Sequence, residues 1–314
     1  MKVVFWGTPE FAVPALRALA GEGHDIVAVV TQPDRPAGRG RALRKSAVKT
    51  VAEEEAIPVL QPDRPVGDAF LETLLSFEPD ISVVVAYGQI LRREVLDVPA
   101  LGSINLHASL LPELRGAAPI NWAIARGYER TGITIIRMVE KMDAGPMLLQ
   151  VAEPIAPEET ASDLALRLSE IGAEALVETL ALLEAGEVEE IEQDESRATF
   201  APRIQREHTH VDWNRSADEV GRQMRAFDAV PGAWSMLGDR QVKLFRPLPE
   251  PERAHEAVPG TVLEVQALDT SEGMLVACGS GAVRVREVQP AGRARMPTSA
   301  WVRGRGIAVG QRLT

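Results

Sequence analysis

Three polar residues in this chain have the types and the spacing to handle an acyl group. Asn105 and His107 stand two apart in Ser103-Ile104-Asn105-Leu106-His107, a short apolar run that predicts a strand, so both project from one face at its carboxyl end. An Asn amide can donate a hydrogen bond to a developing oxyanion, and a histidine can do the same or exchange a proton near neutral pH. Asp143, in Lys141-Met142-Asp143-Ala144-Gly145-Pro146, lies in a Gly-Pro turn between two expected strands. Folded against His107, its carboxylate would fix the imidazole tautomer and favour the charged ring. Each residue also has a plainer reading, as polar strand-end groups facing solvent and as an ordinary turn residue before glycine. Residue types alone leave both open.

Other motifs narrow the chemistry. Gly7-Thr8-Pro9 follows the first strand, where an α/β sheet can cradle an anion, yet a plain strand-to-helix turn is the favoured reading. The three-glycine dinucleotide fingerprint is absent, which removes most support for nicotinamide chemistry. His208-Thr209-His210 has no carboxylate or thiolate support nearby and reads as a surface strand, so no metal is expected. Cys278 is the single cysteine, which excludes an internal disulfide and a thiolate zinc cluster. Residues 32–49 hold six basic residues against one acid. Their glycines and prolines describe a loop whose backbone can approach a partner closely, and phosphate contact is the favoured use of its cations.

These residues need a frame. Apolar, β-branched runs at 3–6, 26–31, 81–86 and 103–107 alternate with helical spacing at 11–20 and 68–77, which predicts an α/β fold with a mostly parallel, Rossmann-like sheet and crossover helices. Further strands are expected at 132–138 and 147–155, and a long helix over 160–185 opened by Thr160 and Asp163. A polar, acidic stretch from 187 reads as a linker. Beyond it a helix at 216–227 and short runs at 242–246, 261–266, 274–278 and 282–288 predict a small barrel or sandwich. The expected division is a first domain over 1–186, a linker over 187–204 and a second domain over 205–314.

At 314 residues and 45% apolar content the chain can build two cores. Its formal charge of −11 argues against a nucleic-acid partner until it is resolved by position: −1 over 1–139, −13 over 140–202 and +3 over 203–314. A polyanion can still meet the loop and the rear domain, with the acidic block facing away from it. The longest apolar stretches fall far short of the roughly 20 residues a membrane span needs, and the first residues are too brief a run for a signal-peptide core. A cytoplasmic protein with no membrane partner is expected.

Taken together, Gly7-Thr8-Pro9, the run from Thr31 through Gly40, Asn105-x-His107-Ala108-Ser109-Leu110-Leu111-Pro112, Arg115-Gly116-Ala117-Ala118-Pro119-Ile120, Asp143-x-Gly145, Asp212-Trp213 and Arg225-Ala226-Phe227 resemble the methionyl-tRNA formyltransferase family over nearly the whole chain. The resemblance implies formyl transfer from 10-formyltetrahydrofolate to the methionine amine of initiator methionyl-tRNA, by a monomer. It implies Asn105, His107 and Asp143 as the catalytic set and Ser109, Leu110, Leu111 and Pro112 as part of the folate site. It also implies that the loop bearing Arg35, Arg39, Arg41, Arg44 and Lys45 reaches the acceptor stem, and that the rear domain is an oligonucleotide-binding (OB-like) barrel. Glu113 and Leu114 stand where that pattern has a basic and an aromatic residue. A formyltransferase of small amines would share the Asn-x-His and Asp core, and a non-catalytic RNA-binding protein would share the barrel; the basic loop argues against the first and the catalytic set against the second.

Overall fold

The computed structural model describes residues 1–37, 42–267 and 273–314. The first part of the chain runs β1 (Lys2–Gly7), α1 (Val13–Gly21), β2 (Asp25–Val30), β3 (Arg35–Ala37), β4 (Ala42–Arg44), α2 (Ala47–Glu54), β5 (Val59–Leu60), α3 (Asp68–Ser76), β6 (Ile81–Val85), α4 (Arg93–Leu96), β7 (Ser103–His107), α5 (Pro119–Ala125), β8 (Arg130–Arg137), β9 (Met147–Pro154) and α6 (Ala161–Ala185). Seven strands form one sheet in the order β5-β2-β1-β6-β7-β8-β9. Neighbours are parallel from β5 to β7, and β8 and β9 join antiparallel. Strand sequence explains position: Val3, Val4, Phe5 and Trp6 are fully buried in central β1, whereas β9 alternates inward and outward residues as an edge strand does. The strand order reverses between β1 and β6, the place where α/β sheets bind ligands at their carboxyl edge.

The start of α6 is capped by the pair the sequence signals, and α2 has a cap that the sequence reading did not name. At the start of α6 Thr160 N and Oγ1 donate to Asp163 Oδ2 while Asp163 N donates to Thr160 Oγ1, and Ser46 Oγ accepts from Lys49 N to open α2. The 32–49 segment expected as loop contains the β3–β4 hairpin and the first turn of α2.

The second part runs α7 (Ala217–Ala226), β10 (Ala233–Leu237), β11 (Arg240–Glu250), β12 (Val262–Val265), β13 (Met274–Ala277), β14 (Ala282–Pro290), β15 (Met296–Pro297) and α8 (Thr298–Arg303). Its antiparallel sheet has the order β10-β11-β14-β13-β12, with β15 on β14. The last residues join the two edges, Leu313 bridging Leu237 of β10 and Arg312 bridging Thr261 beside β12, so the sheet closes into a small barrel.

Two compact units result, one of Met1–Pro119, Arg130–Pro154 and Ala165–Pro202, the other of Ile120–Glu129, Ile155–Leu164 and Arg203–Thr314. This differs from a single cut at 186. Two excursions join the second unit because Asn121 Nδ2 donates to Ala226 O at 2.6 Å and Ser162 Oγ to Asp228 O at 2.8 Å. Residues 187–202, expected as linker, belong to the first unit, where they pair with β9 and the loop after β7.

Candidate functional site

β7 is locked between β6 and β8, with Asn105 opposite Val84 on one side and Ile136 on the other. Leu106 faces away, onto Gly172 of α6, where a Cβ would sit 2.6 Å from its Cδ1. Asn105 and His107 therefore share the opposite face, as the strand period requires. Asn105 is half-buried, and among the described residues its amide has no hydrogen-bond partner. His107 is only 5% exposed. Its Nε2 lies 3.0 Å from Leu114 O; a carbonyl only accepts, so Nε2 carries a proton and the neutral ring keeps its lone pair on Nδ1. Nδ1 stands 3.7 Å from Asp143 Oδ2.

Asp143 is placed by backbone. It adopts the left-handed conformation at φ 51°, uncommon for a residue with a side chain. Its Oδ2 accepts from Gly116 N at 2.8 Å. Gly116 must be glycine: its φ is 124° and a Cβ there would meet Ala201 O at 2.6 Å. Leu114, also left-handed at φ 60°, is 1% exposed and turns its carbonyl onto His107. The residue that departs from the family pattern thus supports the histidine through its main chain.

Ser109 to Pro112 form a rigid loop. Ser109 Oγ donates to Glu113 O at 2.6 Å. Thr134 Oγ1 donates to Ser109 O at 2.6 Å and accepts from Leu111 N at 3.1 Å, while Gln150 Nε2 donates to Leu111 O at 3.0 Å. The Leu111–Pro112 peptide is cis. Ser109, Leu111 and Pro112 are buried and Leu110 is partly buried, so this loop offers a ligand its shape and main chain more than free side chains. At the sheet's switch point Thr8 Oγ1 donates to Tyr87 O at 2.9 Å and accepts from Gln32 N at 3.4 Å, tying the carboxyl ends of β1, β2 and β6 together. Gly7-Thr8-Pro9 is therefore a strand-end tie. An amide without a partner among the described residues, beside a buried histidine at this edge, can donate to an oxygen that gains negative charge. Among the described residues no group of three His, Cys, Asp or Glu side chains could hold a metal.

Residues 1–180 match the Formyl transferase family and residues 203–306 its C-terminal domain. The methionyl-tRNA formyltransferase of Bacillus cytotoxicus is 45% identical over 100% of this chain and 98% of its own length, and that of Geobacter sulfurreducens is 44% identical over 100% and 96%. The chain belongs to the methionyl-tRNA formyltransferase family. Among solved structures, a methionyl-tRNA formyltransferase from Clostridium thermocellum shares the fold at 15% identity, with a TM-score of 0.58 over 79% of this chain and 93% of that one. HypX from Aquifex aeolicus, solved with tetrahydrofolic acid, does so at 20% identity, with a TM-score of 0.68 over 95% of this chain and 46% of that one.

In this chain the sequence-predicted cations have different fates. Arg39 and Arg41 lie outside the described residues. Arg35 Nη2 donates to Gln32 Oε1 at 3.2 Å, Lys45 pairs with Glu53 at 2.5 Å, and Arg44 is exposed. Lys49 is a strut at the hairpin's base: it pairs with Asp34 at 2.7 Å and donates to Gln61 Oε1 at 2.7 Å. Those bonds from Lys49 and Gln61 hold the Asp34 carboxyl below its ordinary range. Sequence reasoning missed Thr134, Gln150 and Gln193. The one available signal for Gln193 was an amide standing alone between Glu192 and Asp194.

Proposed function

We propose that this chain transfers the formyl group of 10-formyltetrahydrofolate to the α-amino nitrogen of methionine carried by initiator tRNA, working as a monomer in the cytoplasm. The observation that carries the reading is an Asn105 amide, without a hydrogen-bond partner among the described residues, on the same strand face as a buried histidine whose Nδ1 looks toward a carboxylate. Family membership supplies the substrates: the relatives named above are methionyl-tRNA formyltransferases.

The donor supplies a formyl carbon bonded to a nitrogen that must leave. Asn105 donates a hydrogen bond to the formyl oxygen as it gains negative charge. His107, held through Nε2 on Leu114 O, uses the Nδ1 lone pair to take the proton released when the methionine nitrogen bonds to the formyl carbon. Asp143 faces that nitrogen and stabilises the imidazolium so formed. The same proton then passes from Nδ1 to the departing nitrogen as its bond to carbon breaks, returning His107 to its neutral state. The loop from Ser109 to Pro112 shapes the donor's seat, and the basic segment 32–49, whose sequence carries Arg35, Arg39, Arg41, Arg44 and Lys45, meets the acceptor stem by charge attraction.

The test is incubation of the full chain with 10-formyltetrahydrofolate and charged initiator tRNA, followed by alkaline release of the amino acid and mass analysis. N-formylmethionine is expected; methionine alone, with donor and tRNA both intact, overturns the reading.

A further inference from the structure

Gln193 lies in the acidic segment that follows α6. That segment is fastened at both ends. Met147 and Ile191 exchange backbone hydrogen bonds of 2.8 and 2.9 Å, and Arg115 donates through its backbone N to Thr199 O at 2.9 Å while its own carbonyl accepts from Ala201 N at 2.7 Å. Between the fastenings the Gln193 side chain, 8% exposed, uses its whole amide. Its Oε1 accepts from Arg115 Nε at 3.1 Å and Nη2 at 2.7 Å. Its Nε2 donates to Asp143 O and to Gly145 O, both at 2.8 Å. Arg115 is itself 2% exposed and is completed by Glu195, which accepts from Nη1 at 3.0 Å.

Asp143 is in an unfavourable backbone conformation, and a residue of that kind persists only when its surroundings over-determine it. Among the described residues its carboxylate has one hydrogen-bond donor, Gly116 N, and its carbonyl one side-chain donor, Gln193. We propose that Gln193 is a positioning residue for formyl transfer, fixing the Asp143–Gly145 turn so that the carboxylate stays within reach of His107 Nδ1. The proposal rests on the catalytic reading of Asp143. The hydrogen bonds of Gln193 go to Arg115 and to the carbonyls of Asp143 and Gly145, so it acts through the turn. The segment's role is thereby changed from connecting two units to completing the site in the first.

Gln193→Glu separates positioning from simple packing. It keeps the side chain's length and the acceptor for Arg115, and it removes both donors, so two carbonyls face an oxygen. Expected is a fall in kcat of about 10- to 100-fold, the size of a misplaced catalytic group, with KM for donor and for charged tRNA changed less than about twofold. In an Asp143→Asn background the same substitution should lower kcat by less than about twofold, because residues acting as a unit are not additive. Gln193→Met, of similar size without the amide, serves if the Glu variant fails to fold, with the same expectation. A wild-type kcat in a folded Gln193 variant overturns the proposal, as does an equal loss in both backgrounds. Asp143→Asn alone running at the wild-type rate refutes the catalytic reading first, and the proposal with it.

Discussion

Asn105→Ala isolates the group assigned to the formyl oxygen. Removal of one preorganised oxyanion donor costs about 3 kcal/mol of barrier, which at about 1.4 kcal/mol per decade is about 150-fold in kcat. The structure also says what the substitution leaves alone. Among the described residues the Asn105 amide has no hydrogen-bond partner, so its loss leaves no protein group unpaired. The strand is held through its backbone ladders to β6 and β8, and the melting temperature should move by no more than about 2 °C. The assay is initial-rate formyl transfer at saturating donor across a range of charged tRNA, with a melting curve on the same preparation. A kcat within about threefold of wild type refutes the assignment. So does a raised KM with kcat unchanged, the mark of uniform binding.

His107→Ala should lose rate on a similar scale and also lower the melting temperature, because Leu114 O gives up its donor inside a buried loop; an unchanged melting curve contradicts that. Arg44→Ala or Arg39→Ala should weaken use of charged tRNA without affecting the donor, and reduce the slope of log affinity against log salt by about one; an unchanged slope refutes the phosphate role. The Asp34 carboxyl is held low when folded, so its pairing stabilises above the unfolded value near ~3.9 and is lost as pH falls through the lower folded value. Lys49→Met should accordingly lower the melting temperature at neutral pH and much less at pH near ~2, and equal drops at both would remove the strut. Burial pushes the Cys278 thiol to about 12, so a thiol reagent should label the chain only after unfolding; prompt labelling of the native chain contradicts its burial.

The strand that carries Asn105 and His107 was legible because its period of two sets the face of each residue, and the sheet's direction sets which end is functional. Asp143 was legible as a residue of the right type in a turn, but its hold on Gly116 depends on contacts far along the chain. The strap through Gln193 was not legible: residues 187–197 show no periodicity, and an acidic run looks the same in solvent as when single side chains are paired with Arg115, Arg137 and Lys141. The pairing of β3 with β4 was hidden because each strand has only three residues, too few to show a period. Closure of the barrel by residues 312–314 was hidden too, since three residues carry no pattern. The charge of 32–49 overstated its free cations, because Lys49 and Lys45 have carboxylate partners that sequence spacing does not reveal.

Transfer of formyl to methionyl-tRNA is tested most directly by competition: the full chain, 10-formyltetrahydrofolate, and equal concentrations of charged initiator tRNA and glycinamide ribonucleotide in one reaction, with both products quantified. Formyl is predicted on the methionine of the tRNA, with the ribonucleotide unmodified. Formylglycinamide ribonucleotide as the main product, or free formate with neither acceptor modified, would contradict the account.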